Sequence, residues 1–129
     1  MASLPPLSVL VVDDEPDLVE STVALLELHG YRARGETGGE QAVEAAAADP
    51  PDVALVDLGM PGIDGFEVAR RLRRLPRPPF LVAVTGRTSD WDRDQAGLAG
   101  FGVYLTKPVP PSELIDLIRM CDQSRGWSG

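Results

Sequence analysis

The chain has 129 residues, the size of one domain, and its 43% apolar and 25% charged residues are ordinary for a globular fold. No uncharged apolar run approaches the roughly 18 residues needed to cross a bilayer, and Met1-Ala2-Ser3-Leu4-Pro5-Pro6 lacks the basic flank and apolar stretch of a secretory signal, so a cytoplasmic location is expected. The net charge of -8 argues against nucleic acid and membrane partners and suits a cation, while the lone Cys121 excludes an internal disulfide and a Cys/His zinc site.

Leu7 to Val12 is a short apolar run without polar alternation, as expected of a parallel strand buried on both faces. Pro16 then suits the first turn of a helix, Leu18, Thr22, Leu25 and Leu26 recur at helical spacing, and Gly30 supplies the stop just after His29. Tyr31 to Gly35, with Arg32 and Arg34 alternating, predicts an edge strand. Thr37-Gly38-Gly39-Glu40 has the spacing of a capping box before an alanine-rich helix from Gln41 to Ala48.

Val53 to Val56 predicts a second fully buried strand. A helix from about Asp64 carries Val68, Leu72 and Leu75 on one stripe and ends before Pro76. Arg70, Arg71, Arg73, Arg74 and Arg77 cluster at its end, where they complement the helix dipole and meet solvent. Phe80 to Val84 and Val103 to Leu105 predict further buried strands. The helix between them, near Trp91 to Ala99, has a thin apolar stripe interrupted by Gly97. A last helix from about Ser112 to Cys121 displays Leu114, Ile115, Leu117 and Ile118. The division expected is an extension over residues 1–6, a domain over 7–121 and a polar tail over 122–129.

Alternating strands and helices imply a parallel sheet with helices on both faces. In such sheets ligands bind beyond the carboxyl ends of the strands. The residues found there are Asp13 and Asp14, Asp57, Thr85, and Thr106 with Lys107. Taken singly, Asp13 and Asp14 before Pro16 could simply cap the first helix. Taken together, three carboxylates repel one another and ask for a cation, and an all-oxygen set suits Mg²⁺ or Mn²⁺. Lys107 is the only lysine among 12 basic residues, which marks a position where a compact, mobile charge is wanted.

Asp13-Asp14, the stretch from Asp57 through Gly59-Met60-Pro61-Gly62 to Asp64-Gly65, Thr85-Gly86 and Tyr104-Leu105-Thr106-Lys107-Pro108 together resemble the receiver domain of two-component response regulators. The resemblance spans about Leu7 to Cys121. It implies an α/β flavodoxin-like (βα)5 three-layer sandwich whose five parallel strands run in the order 2-1-3-4-5. It also implies that Asp57 accepts a phosphoryl group from a phosphohistidine on a histidine kinase or histidine phosphotransfer protein. Asp13, Asp14, Asp57 and the backbone carbonyl of Gly59 would hold Mg²⁺, and Lys107 and Thr85 would contact the phosphoryl oxygens. Thr85 and Tyr104 would then switch the face built from the fourth helix, fifth strand and fifth helix, for an effector protein or attached domain to read. A homodimer through that face belongs to the same expectation. The family's usual cis Lys107-Pro108 bond is carried over with the rest.

The chain departs from the family in places. Gly59 has no side chain to shield an acyl phosphate, so Arg87 is the candidate cover. Gly102 replaces a frequent acidic residue, and Pro110-Pro111 a polar cap, though Pro111 still suits a first turn. Trp127 falls in the tail and has no assigned role. A rival of another class is an aspartate-nucleophile phosphatase of haloacid-dehalogenase type, which wants a second acid where Gly59 stands. A dinucleotide binder would need a glycine-rich turn where Asp13-Asp14-Glu15 stands.

Overall fold

The computed structural model describes residues 4–86 and 89–125, so Arg87 and Trp127 lie outside the described residues. The elements alternate: β1 Ser8–Val12, α1 Pro16–Leu28, β2 Arg32–Glu36, α2 Gly39–Ala48, β3 Val53–Val56, α3 Gly65–Arg73, β4 Phe80–Thr85, α4 Asp90–Ala99, β5 Val103–Thr106 and α5 Pro111–Arg125. All pairings are parallel, in the order β2-β1-β3-β4-β5. This is the flavodoxin-like sandwich that the resemblance implies.

The strands divide the core by their twofold alternation. Leu10, Val12, Ala54, Val56, Leu81 and Ala83 face α2, α3 and α4. Val9, Val11, Val53, Leu55, Val82 and Leu105 face α1 and α5. The three central strands are largely buried, as expected of a sheet covered on both sides, but Phe80 at the start of β4 is 43% exposed, against the expectation of a strand buried throughout.

Several local expectations are corrected. Glycine, not a capping box, starts α2: Gly38 is the N-cap and no side chain bonds to the helix end there. Gly39 sits so close to α3 and the loop before it that a Cβ would lie 2.5 Å from Ile63 Cγ1 and 2.8 Å from Val68 Cγ2, so packing rather than Thr37 sets where α2 begins. In α1 the fully buried residues are Val19 and Leu26, whereas Leu18, Thr22 and Leu25 are half-buried and line a cavity of about 610 Å³ beside α5. Strand β5 is an edge, and its Val103 and Tyr104 are only half-buried. Helix α5 runs to Arg125, four residues into the stretch whose composition reads as tail. Arg125 anchors that extra turn by donating to the Pro5 carbonyl at 2.6 Å and to Asp52 Oδ2 at 3.5 Å, links that no composition argument could show.

Candidate functional site

Register brings the acidic residues together. Val12 pairs with Val56, so the next residues, Asp13 and Asp57, emerge side by side from the two central strands. Both are buried, whereas Asp14 is exposed. One carboxylate oxygen from each of the three lies within 4.8 Å of the others. On the far side of the strand ends, Thr85 pairs with Thr106, and the Lys107 N–H donates to the Thr85 carbonyl at 2.8 Å. The Lys107-Pro108 bond is cis.

Asp13 divides its two oxygens. Oδ1 accepts the Glu15 N–H at 3.0 Å, which is the turn-forming role foreseen for an aspartate before Pro16. Oδ2 accepts from Lys107 Nζ at 2.6 Å, while the same ammonium stands 3.7 Å from Asp57 Oδ2. The turn former and the member of the acidic cluster are therefore one residue, although Asp13 does not cap the helix. The N-cap of α1 itself is Glu15, whose side chain makes no cap bond.

The electrostatics follow from crowding in a dry place. Burial pushes the Asp57 carboxyl above its ordinary range, and the negative charges of Asp13 and Asp14 push the same way. The Gly59 N–H, donating to Asp57 Oδ1 at 3.3 Å, and the Lys107 ammonium oppose this without cancelling it. Burial works to lower the Lys107 pKa, yet the hydrogen bond that its ammonium donates to Asp13 and the charges of Asp57, Asp13 and Glu15 together leave it raised. A carboxylate held above its ordinary pKa by desolvation and like charge is one whose ionised form a cation would stabilise. Three oxygen donors, two buried and one at the solvent edge, fit a hard divalent ion that keeps some of its water.

One feature escapes a reading of motifs alone. Gly65, the first residue of α3, lies against the backbone of the site: a Cβ there would stand 2.2 Å from the Asp57 carbonyl oxygen and 2.7 Å from Leu58 Cα. The Asp64 side chain caps the same helix by accepting the Glu67 N–H at 3.0 Å. A glycine directly after an N-cap, where almost any residue would serve, is the sequence signal for this close approach.

A parallel sheet with acids at its central strand ends, a hydroxyl and a lysine is the arrangement that the resemblance to signalling modules of the response regulator class implies. The sequence model of the response regulator receiver domain matches residues 9–119, and the chain belongs to that family. It is 36% identical over 121 residues to an uncharacterized 14.6 kDa protein in the sodA1 3′ region of Leptolyngbya boryana, covering 92% of each chain. It is 38% identical over 111 residues to the transcriptional regulatory protein KdpE of Mycobacterium tuberculosis, where the match takes in 86% of this chain but 49% of that one. The chain thus spans about half the length of some relatives and nearly the whole of others. Among solved structures, the receiver domain of sensor histidine kinase PA1611 from Pseudomonas aeruginosa, with a magnesium ion in its active site cleft, superposes with a TM-score of 0.81 at 29% identity, covering 89% of this chain and 96% of that one. No support emerges for the phosphatase alternative, and the position it needs for a second acid is Gly59.

Proposed function

We propose that this receiver domain accepts a phosphoryl group on Asp57. The observation that carries the reading is the placement of one buried carboxylate within reach of two others and of the chain's only lysine. An Asp57 carboxylate oxygen would attack the phosphorus of a phosphohistidine on a histidine kinase or phosphotransfer protein. A P–O bond forms, the P–N bond breaks, and the departing imidazole recovers a proton. Such transfers depend chiefly on positioning and on neutralising the oxygens of the moving group.

Asp13, Asp14, Asp57 and the Gly59 carbonyl are the groups that would hold Mg²⁺ or Mn²⁺. When bound, the ion supplies electrostatic stabilisation for the phosphoryl oxygens. The magnesium in the cleft of the PA1611 receiver favours the same assignment. Lys107 would exchange part of its bond to Asp13 for a phosphoryl oxygen, as a mobile point charge can. Thr85 ends β4 beside it and would donate its hydroxyl, and a Cβ at Gly86 would meet nothing within 4 Å among the described residues, which favours room for the group there. Movement at Thr85 then reaches Tyr104 and the α4-β5-α5 face. That face would signal to an effector protein or attached domain in the cytoplasm, or pair with a second copy. The chain's own chemistry would be limited to acquiring and losing the phosphoryl group.

The test is incubation with Mg²⁺ and acetyl phosphate, followed by intact mass and peptide mapping. One phosphoryl adduct is expected, located at Asp57 and absent from Asp57→Asn. An adduct at another residue overturns the reading.

A further inference from the structure

The outer part of β5 carries a contact that phosphoryl chemistry does not require. Tyr104 and Thr106 are two residues apart on one strand and so project from the same face of the sheet. Their registered neighbours on β4 are Ala83 and Thr85. From α4, Arg93 reaches across both. Its guanidinium carbon lies 4.6 Å from the centroid of the Tyr104 ring, and a terminal nitrogen donates to Thr106 Oγ1 at 3.5 Å. The backbone of Arg93 also closes the first turn of α4, donating to the Ser89 carbonyl at 3.1 Å. Thr85, Thr106, Tyr104 and Arg93 therefore succeed one another from the buried hydroxyl of the site to the surface of α4.

We propose that Arg93 is a latch. By stacking on Tyr104 while holding Thr106, it fixes α4 to β5 in the arrangement seen here and so sets how readily Asp57 is modified. This rests on the receiver chemistry proposed above. Among the described residues α4 is otherwise held by two buried alanines, Ala96 and Ala99, and by the Arg73 guanidinium of α3, which donates to the Leu98 carbonyl at 3.3 Å. One ring contact and one hydrogen bond are then a sizeable part of its attachment. Ala83, registered opposite Tyr104, presents little bulk to a ring that turns inward once released. Arginine suits the role because its planar group stacks on a ring while its fork donates sideways, whereas lysine offers the charge alone. Arg93 acts through Tyr104 and is a positioning residue.

The experiment titrates beryllofluoride, a phosphoryl mimic, into the full chain with Mg²⁺. It compares wild type, Arg93→Ala and Arg93→Lys, each also in a Tyr104→Leu background. Arg93→Ala should bind about threefold tighter, the scale of one exposed cation–π contact. Arg93→Lys should fall between, and with Leu at 104 the effect of removing the arginine should shrink to what its bond to Thr106 supplies. Unchanged or weaker binding in Arg93→Ala overturns the latch, as does an effect of equal size without the tyrosine ring. Amide exchange over residues 103–106, without Mg²⁺ or beryllofluoride, reads the latch alone. About threefold faster exchange in Arg93→Ala is expected, and unchanged exchange also overturns it. If the wild-type chain binds no beryllofluoride, the receiver chemistry is what fails, and the exchange arm still decides the latch.

Discussion

Helices α3 and α4 lie on the same face of the sheet and each begins at a side-chain cap, Asp64 Oδ1 for α3 and Ser89 Oγ for α4. They are held very differently. Helix α3 buries Gly65, Phe66, Val68, Ala69 and Leu72, whereas α4 buries two alanines and leaves Trp91 and Leu98 64% and 75% exposed. At roughly 25 cal/mol per Å² of apolar surface removed from water, large side chains dominate such attachment and alanines add little. The helix braced on the core is the one whose first residue touches the Asp57 backbone. The helix with little beneath it is the one that meets Tyr104 through Arg93. On the function proposed above, a site that keeps its geometry and a surface that changes it would sit on elements of different attachment, in line with the way local stability varies across a fold.

The strongest way to break this comparison is to damage each helix in turn. Gly65→Ala drives a methyl group into backbone that cannot yield, and Leu72→Ala opens a cavity at a position with 0% exposure. Each should cost about 3 kcal/mol in urea unfolding. Ala96→Gly in α4 should cost about 1 kcal/mol, mostly through helix propensity. Equal losses from Leu72→Ala and Ala96→Gly would show that α4 is as firmly held as α3.

The site itself should act against stability in the absence of metal. The Asp57 pKa is raised in the folded chain, so the folded state binds the proton more tightly than the unfolded state does. The stability linked to that proton is fully present below the ordinary carboxylate pKa of 3.8 and is lost as pH rises through the raised folded value. At neutral pH the ionised carboxylate is therefore a net cost. Asp57→Asn in Mg²⁺-free buffer should melt a few degrees higher than wild type. The gap should shrink as pH is lowered toward the ordinary carboxylate range, and Mg²⁺ should raise the wild-type melting point while leaving Asp57→Asn largely unmoved. A variant that melts at or below the wild-type temperature at pH 7 would mean that Lys107 and the Gly59 N–H already outweigh the crowding.

Legibility in the sequence followed the same division. The convergence of Asp13, Asp14, Asp57, Thr85 and Lys107 and the start of α3 near Asp64 were readable because they depend on periodicity and chain order, while the strand order came with the resemblance. The start of α2 and the length of α5 were not readable, and Gly65 signalled a close approach without naming the Asp57 backbone as its partner. Each depends on a close approach between residues far apart in the chain, such as Gly39 against Val68 or Arg125 against Pro5. Arg93 over Tyr104 belongs with these. An arginine on a polar helix reads as solvent-facing until the strand beside it is known. The division of Asp13 between turn and ammonium shows that a turn-forming reading and a site reading need not compete.

The smallest expected effect gives the finest test of the contrast. Trp91 and Leu98 are seven residues apart, two turns of α4, and so lie along one stripe of that helix. Because most of each side chain already meets water, truncation removes little buried area, and alanine is a better helix former than tryptophan. Trp91→Ala and Leu98→Ala should therefore change unfolding free energy by less than about 0.5 kcal/mol, with Trp91→Ala neutral or slightly stabilising. A loss above about 1 kcal/mol from either, beyond what exposed positions ordinarily show, would mean that this stripe is packed in the folded chain in solution. The account of α4 as the loosely attached helix, and with it the weight placed on Arg93, would then have to be given up.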